Sequence, residues 1–208
     1  MAIRDWNNLV KGMLCLLALL VCSCQQVSKS IRDTFNTKPE EAEILAASGE
    51  RITGFVRDTA ALDLAEKLLR QLPQYRAKPI FLYADIHFYD DGRIMTKLQH
   101  PDNPDYVDAY NYRNGEWSGP VAVQLSVHEN ISSRLVALDR VPLRTAAIVV
   151  DNYNDKASLV EGAGSTDHVY LIIHSGITRW YPNRIDGSRE AWDIYFNLDG
   201  SVATFFRQ

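Results

Sequence analysis

Ile80-Phe81-Leu82-Tyr83-Ala84-Asp85-Ile86-His87-Phe88-Tyr89 is the stretch that decides how this chain folds. Ile80, Leu82, Ala84, Ile86 and Phe88 alternate with Phe81, Tyr83, Asp85, His87 and Tyr89, the two-residue period of a strand with unlike faces. Asp91-Gly92 follows, a dipeptide suited to the positive φ angles of a tight hairpin, and Arg93 to Gln99 reads as the returning strand. The aliphatic set is expected under a helix, which leaves the aromatic and polar set on the opposite side.

Upstream, Asp58-Thr59 precedes Leu62, Ala65, Leu68, Leu69 and Leu72 at helical spacing, and Pro73 closes that segment. Downstream, Pro101 and Pro104 break the chain, a third strand is expected near Val107 to Tyr112, and Asn114-Gly115 turns it into a fourth from Pro120 to Val127. The second half has similar grammar. Leu143, Ala146, Ala147, Val150 and Tyr153 fit a helix, although the β-branched run Ile148-Val149-Val150 opposes it. Gly162-Ala163-Gly164 is a loop, and Val169 to His174 turns at Ser175-Gly176 into Ile177 to Tyr181. Trp192, Ile194, Phe196 and Leu198 share a strand face before the Asp199-Gly200 turn into Val202 to Phe206. The expected fold class is therefore α+β: two helix-plus-four-stranded antiparallel sheet units, over 37–129 and 130–208, in the order of a tandem repeat. In outline such a unit resembles small periplasmic inhibitor and PepSY-like modules, with no residue motif carrying the likeness.

The first two dozen residues carry a different signal. Arg4 and Lys11 flank the start of an apolar run from Met13 to Cys22, too short for the ~20 residues of a spanning helix. Leu20-Val21-Cys22-Ser23-Cys24 resembles a bacterial lipobox, with Cys22 where Ala, Ser, Thr or Val is commoner. The resemblance is to bacterial lipoprotein precursors. It implies a signal peptide over 1–23, acylation of Cys24 and the lipid bilayer as a partner through that residue. Gln25 stands where an Asp would resemble an inner-membrane retention signal, so the implied location is the outer membrane, facing the periplasm. An ordinary secretory signal cut after Ser23 is the alternative, since Val21 and Ser23 also satisfy a small-residue rule. Residues 24–36 read as a flexible tether, and Thr37, Pro39, Glu40 and Gly49 predict a short helix from 39 to 48.

Composition narrows the function classes. The 208 residues include 22 Lys or Arg and 26 Asp or Glu, a formal charge of −4 without a basic run, which argues against nucleic acid as a partner. The three cysteines, Cys15, Cys22 and Cys24, lie in or at the end of the leader. The body therefore has no thiol for a disulfide, a nucleophile or a cysteine zinc site.

Five histidines invite a catalytic or metal reading. Asp85 and His87 share a strand face and could pair, but no Gly-x-Ser-x-Gly supplies a nucleophile. His168 and His174 share a face yet stand roughly 20 Å apart along a strand, and no His-Glu-x-x-His occurs. Asp102, Asp105 and Asp108 lack the ligand alternation and central glycine of a calcium loop, and Gly162-Ala163-Gly164 lacks the lysine of a phosphate loop. No cofactor, metal or catalytic residue is expected. The candidate partner-binding face is Tyr83, Asp85, His87 and Tyr89, joined by Tyr110 and Tyr112, because tyrosine brings large area and a hydrogen-bonding tip. The expected function is a membrane-anchored, non-catalytic binding module with a protein partner in the cell envelope. A periplasmic inhibitor or immunity-type protein is the alternative, and a hydrolase using Asp85 and His87 the weaker one.

Overall fold

The computed structural model describes residues 53–208. The expected signal peptide, Cys24, the expected tether and the short helix expected over 39–48 lie outside these residues. Within them, the first helix, α1 (Thr59–Gln71), starts where Asp58 caps it, its carboxylate accepting from the Ala61 N–H at 3.0 Å. The second, α2, spans Thr145–Ala157. Ten strands follow in chain order: β1 (Phe81–Tyr89), β2 (Ile94–Gln99), β3 (Val107–Arg113), β4 (Glu116–Ala122), β5 (Leu135–Ala137), β6 (His168–His174), β7 (Ile177–Tyr181), β8 (Arg184–Asp186), β9 (Ala191–Phe196) and β10 (Val202–Arg207).

The expectation of two helix-plus-four-strand units is corrected by the strand pairing. One seven-stranded antiparallel sheet runs β4-β3-β2-β1-β6-β7 with β5 also paired to β1, and a separate three-stranded sheet runs β10-β9-β8. The chain is mostly β, and the division at 129/130 falls between strands of a single sheet. The described residues form one unit. Hairpin dipeptides specify only local partners, and β1 takes β6 from far along the chain: Asp85 pairs with Ile172, His87 with Tyr170 and Tyr89 with His168. With the repeat goes the outline that carried the likeness to PepSY-like modules.

β1 serves β5 and β6 along one edge because it is interrupted. The β1–β2 register slips between Leu82 and Ile86, and Ala84 within the slip adopts φ 64°. This bulge sends Tyr83 and Ala84 away from the main core, where they pack with Val107 under Val123, Leu125, Ile131 and Leu135. Leu82, Ile86 and Phe88 keep the core side, as their alternation implies.

Both helices cover that core side. Leu62, Ala65 and Leu69 of α1 and Ala146, Ala147, Val149 and Val150 of α2 join Ile94, Leu98, Val169, Leu171 and Ile173 in one cluster. The Trp117 indole on β4 donates to the Ala65 carbonyl at 2.8 Å, fixing α1 over the far end of the sheet. Helix α2 has a second apolar side: Tyr153 and Ala157 pack with Ile185 and Ile194 of the small sheet. Burial of Val149 and Val150 in the main core offsets the low helix propensity of the β-branched run, whose first member, Ile148, stays exposed. The fourth strand begins directly after the Asn114-Gly115 turn, so Pro120 lies inside β4 and Val123 to Val127 leave the sheet as a loop.

Candidate functional site

The face of the large sheet opposite the helices carries a connected group of aromatic rings. Strands lie about 4.8 Å apart and side chains alternate faces, so residues opposite each other on one face stack ring against ring. His87 and Tyr170 stack at 4.9 Å and 11°, Tyr89 and His168 at 4.2 Å and 4°, and Tyr170 and Tyr181 at 5.1 Å and 9°. His168 also lies against Tyr170 at 5.1 Å and against His87 at 5.3 Å. The Arg93 guanidinium caps the free side of Tyr89 at 4.3 Å from its centroid. Rings stacked in this way stand upright on the sheet. Their flat faces are spent on one another, and the group offers its partner edges: phenol hydroxyls and imidazole nitrogens.

Charges border the rings on one side. Lys97 Nζ lies 2.6 Å from Asp85 Oδ2, and Asp85 Oδ1 is 3.8 Å from His87 Nε2. The other imidazole nitrogen of His87, Nδ1, is 3.1 Å from His168 Nε2. Burial lowers the pKa of His87, with Lys97 adding to the effect and Asp85 opposing it. Burial also lowers that of His168, reinforced by His87 and Arg93 and opposed by Asp167. Both rings therefore favour the neutral form, in which one N–H donates to the other nitrogen.

The six expected face residues divide into three groups. Asp85, His87 and Tyr89 stand together on the outer face. Tyr83 also leaves the main core, but it is buried under the 123–134 loop, its hydroxyl donating to Glu129 Oε1 at 2.9 Å and the Arg134 guanidinium lying 5.2 Å from its ring. Burial, with the Glu129 bond, raises the Tyr83 pKa. Tyr110 and Tyr112 are corrected to the opposite side, in the main core. The register sets Tyr110 against Thr96 and Tyr112 against Ile94, both of the core face. There Tyr110 meets Tyr75 edge-on at 5.9 Å and accepts from Gln74 Nε2 at 3.1 Å, while Tyr112 packs between Phe55 and Trp117.

Three ring residues of the site, His168, Tyr170 and Tyr181, were absent from the sequence-derived face. Their signal was the period-two series His168-Tyr170-Ile172, which matches Asp85-His87-Tyr89 once the two strands are paired. Of the Asp85–His87 pair, Asp85 turns to Lys97 and His87 to His168. Among the described residues no group of three or more His, Cys, Asp or Glu side chains could hold a metal ion. A cleft of about 490 Å³ lies beside the 123–134 loop, lined by Tyr106, Val107, Val123, Leu125 and Val127 together with Asp105, Asp108 and Glu129.

No family model matches the chain, and neither a curated protein nor a solved structure matches it.

Proposed function

We propose that the chain is an envelope lipoprotein, anchored through acylated Cys24, whose body is a non-catalytic binding module that recognises a protein partner with the outer sheet face. The observation that carries the recognition surface is the stacked group Tyr89, His168, His87, Tyr170 and Tyr181, on the sheet face opposite α1 and α2. Mutual stacking holds these side chains in place before binding, which reduces the ordering cost of association. Upright phenols and imidazoles suit a partner that offers both apolar contact and hydrogen bonds, as protein surfaces do.

A photo-crosslinking residue at Tyr170 or Tyr181, with one at Lys67 on α1 as control, tests the face in intact cells. Crosslinks from the sheet positions and none from Lys67 support the reading. No protein adduct from either sheet position refutes it. The anchor is tested in parallel by palmitate labelling, which the Cys24→Ala variant should lose.

A further inference from the structure

Five outer-face positions of the β6–β7 hairpin close around one recess. Ile172 pairs with Arg179 and His174 with Ile177, while Tyr181 lies one step further along the same face of β7, opposite Tyr170. Side chains alternate faces along a strand, so all five share the side of the stacked rings, of which Tyr181 is the last. Together they line a hollow of about 180 Å³. Pockets for small-molecule ligands run from roughly 300 Å³ upward, so this one has room for a single side chain.

Its walls and its charge specify that side chain. Ile172 and half-exposed Ile177 supply apolar contact, Arg179 brings a full positive charge, and no carboxylate lines the recess. Three cations border the ring group, and the chain itself neutralises two of them. At the Tyr89 end Arg93 Nε lies 2.7 Å from Asp91 Oδ2, and beside His87 the Lys97 Nζ lies 2.6 Å from Asp85 Oδ2. Arg179, at the Tyr181 end, forms no ion pair among the described residues. Along its row of the sheet Asp85 stands two strand spacings away, roughly 10 Å, and is already engaged by Lys97 and His87. Glu129, whose charge interacts with His174, is held by the Tyr83 hydroxyl and Arg134.

We propose that the recess receives an aspartate or glutamate side chain of the protein partner, whose carboxylate takes the place at Arg179 that Asp91 takes at Arg93 and Asp85 at Lys97. The proposal rests on the reading of the outer face given above and names the chemistry of its partner. The guanidinium fork binds both carboxylate oxygens, and the Tyr181 hydroxyl, its ring held against Tyr170 at 5.1 Å, is a second donor on the same face. Ile172 and Ile177 shield the pair from water, where the attraction is stronger than between solvated charges. A single acid at this end of the ring group also fixes the direction in which the partner lies across the sheet.

A photo-crosslinker at Tyr170 of the full-length chain, in intact cells, reads the occupancy of the face. Arg179→Glu should lower the yield of protein adduct roughly tenfold. Arg179→Lys keeps the charge without the fork and should lower it less, and Lys67→Glu, the same reversal of charge on α1, should leave it unchanged. Arg179 is exposed, so each variant should keep the thermal midpoint of the parent chain. Arg179→Gln repeats the test without a new charge. Equal or greater adduct from Arg179→Glu overturns the proposal and leaves the face as a recognition surface. No adduct from the parent chain refutes the face, and the proposal with it. Arg179-dependent binding to phosphatidylglycerol vesicles, with the protein adduct unchanged, assigns the recess to lipid and also overturns it.

Discussion

His87 Nδ1 lies 3.1 Å from His168 Nε2, and the two rings are 13° from parallel. The pair has one shared proton position at its centre, so it tolerates one neutral donor and one neutral acceptor. Protonating both rings removes the acceptor and sets two cations in contact.

Stability should therefore fall in mild acid. Both histidines have folded pKa values below the ~6.5 of an unfolded chain, so the unfolded state takes up protons first as pH drops. Their contribution is present in full above about pH 6.5 and is lost as pH falls through the folded values. The urea midpoint should decline between pH 7.5 and 5, and His168→Gln should flatten that decline. An equal slope in both chains would show that other groups govern it.

Tyr170 separates stacking from recognition. Its ring lies between His87 and Tyr181, so Tyr170→Ala should cost about 1–3 kcal/mol by thermal or chemical denaturation. Tyr170→Phe keeps the ring and should leave the midpoint almost unchanged while reducing partner capture. Full capture by the Phe variant would mean that the hydroxyl edge plays no part.

Tyr112 should behave in the opposite manner. Packed between Phe55 and Trp117 on the core side, it should cost about 3–5 kcal/mol on replacement by alanine. Partner capture per folded molecule should not change. Equilibrium denaturation paired with the crosslinking assay distinguishes the two tyrosines.

How much of this was legible in the sequence follows from the range of each signal. Turn dipeptides act over a few residues, so Asp91-Gly92, Asn114-Gly115, Ser175-Gly176 and Asp199-Gly200 each marked a real hairpin, and the spacing from Leu62 to Leu69 marked α1. Sheet membership is a long-range choice, and nothing local told β6 to join β1. The three-residue strands β5 and β8 are too short to show a period. Tyr110 and Tyr112 fit a common face in either reading. Only the pairing with Thr96 and Ile94 reveals that this face is the core, and only the bulge at Ala84 explains why Tyr83 parts company with His87. The site was half visible because one of its principal strands could be read in isolation and the other could not be placed.

The small sheet makes a further prediction at Gly187. A Cβ there would stand 2.6 Å from Val160 Cγ1 and 2.7 Å from the Glu161 carbonyl, so backbone would have to shift. Gly187→Ala should lower stability by about 1–3 kcal/mol, seen as a reduced thermal midpoint. Because Ile185 and Ile194 pack against the C-terminal half of α2, amide exchange should rise in β8 and β9 before it rises in β1.

The interrupted strand β1 also sets a timetable. One of its edges pairs at once with β2 across a short turn, but the other waits for β5 and then for His168–His174, which emerge far later. Until then a growing chain displays a bare edge rich in aromatic residues, the kind of surface that recruits wrong strands. The outer edge of β1 is thus completed only by strands of high sequence separation, and a chaperone that shields nascent chains would have its clearest duty there.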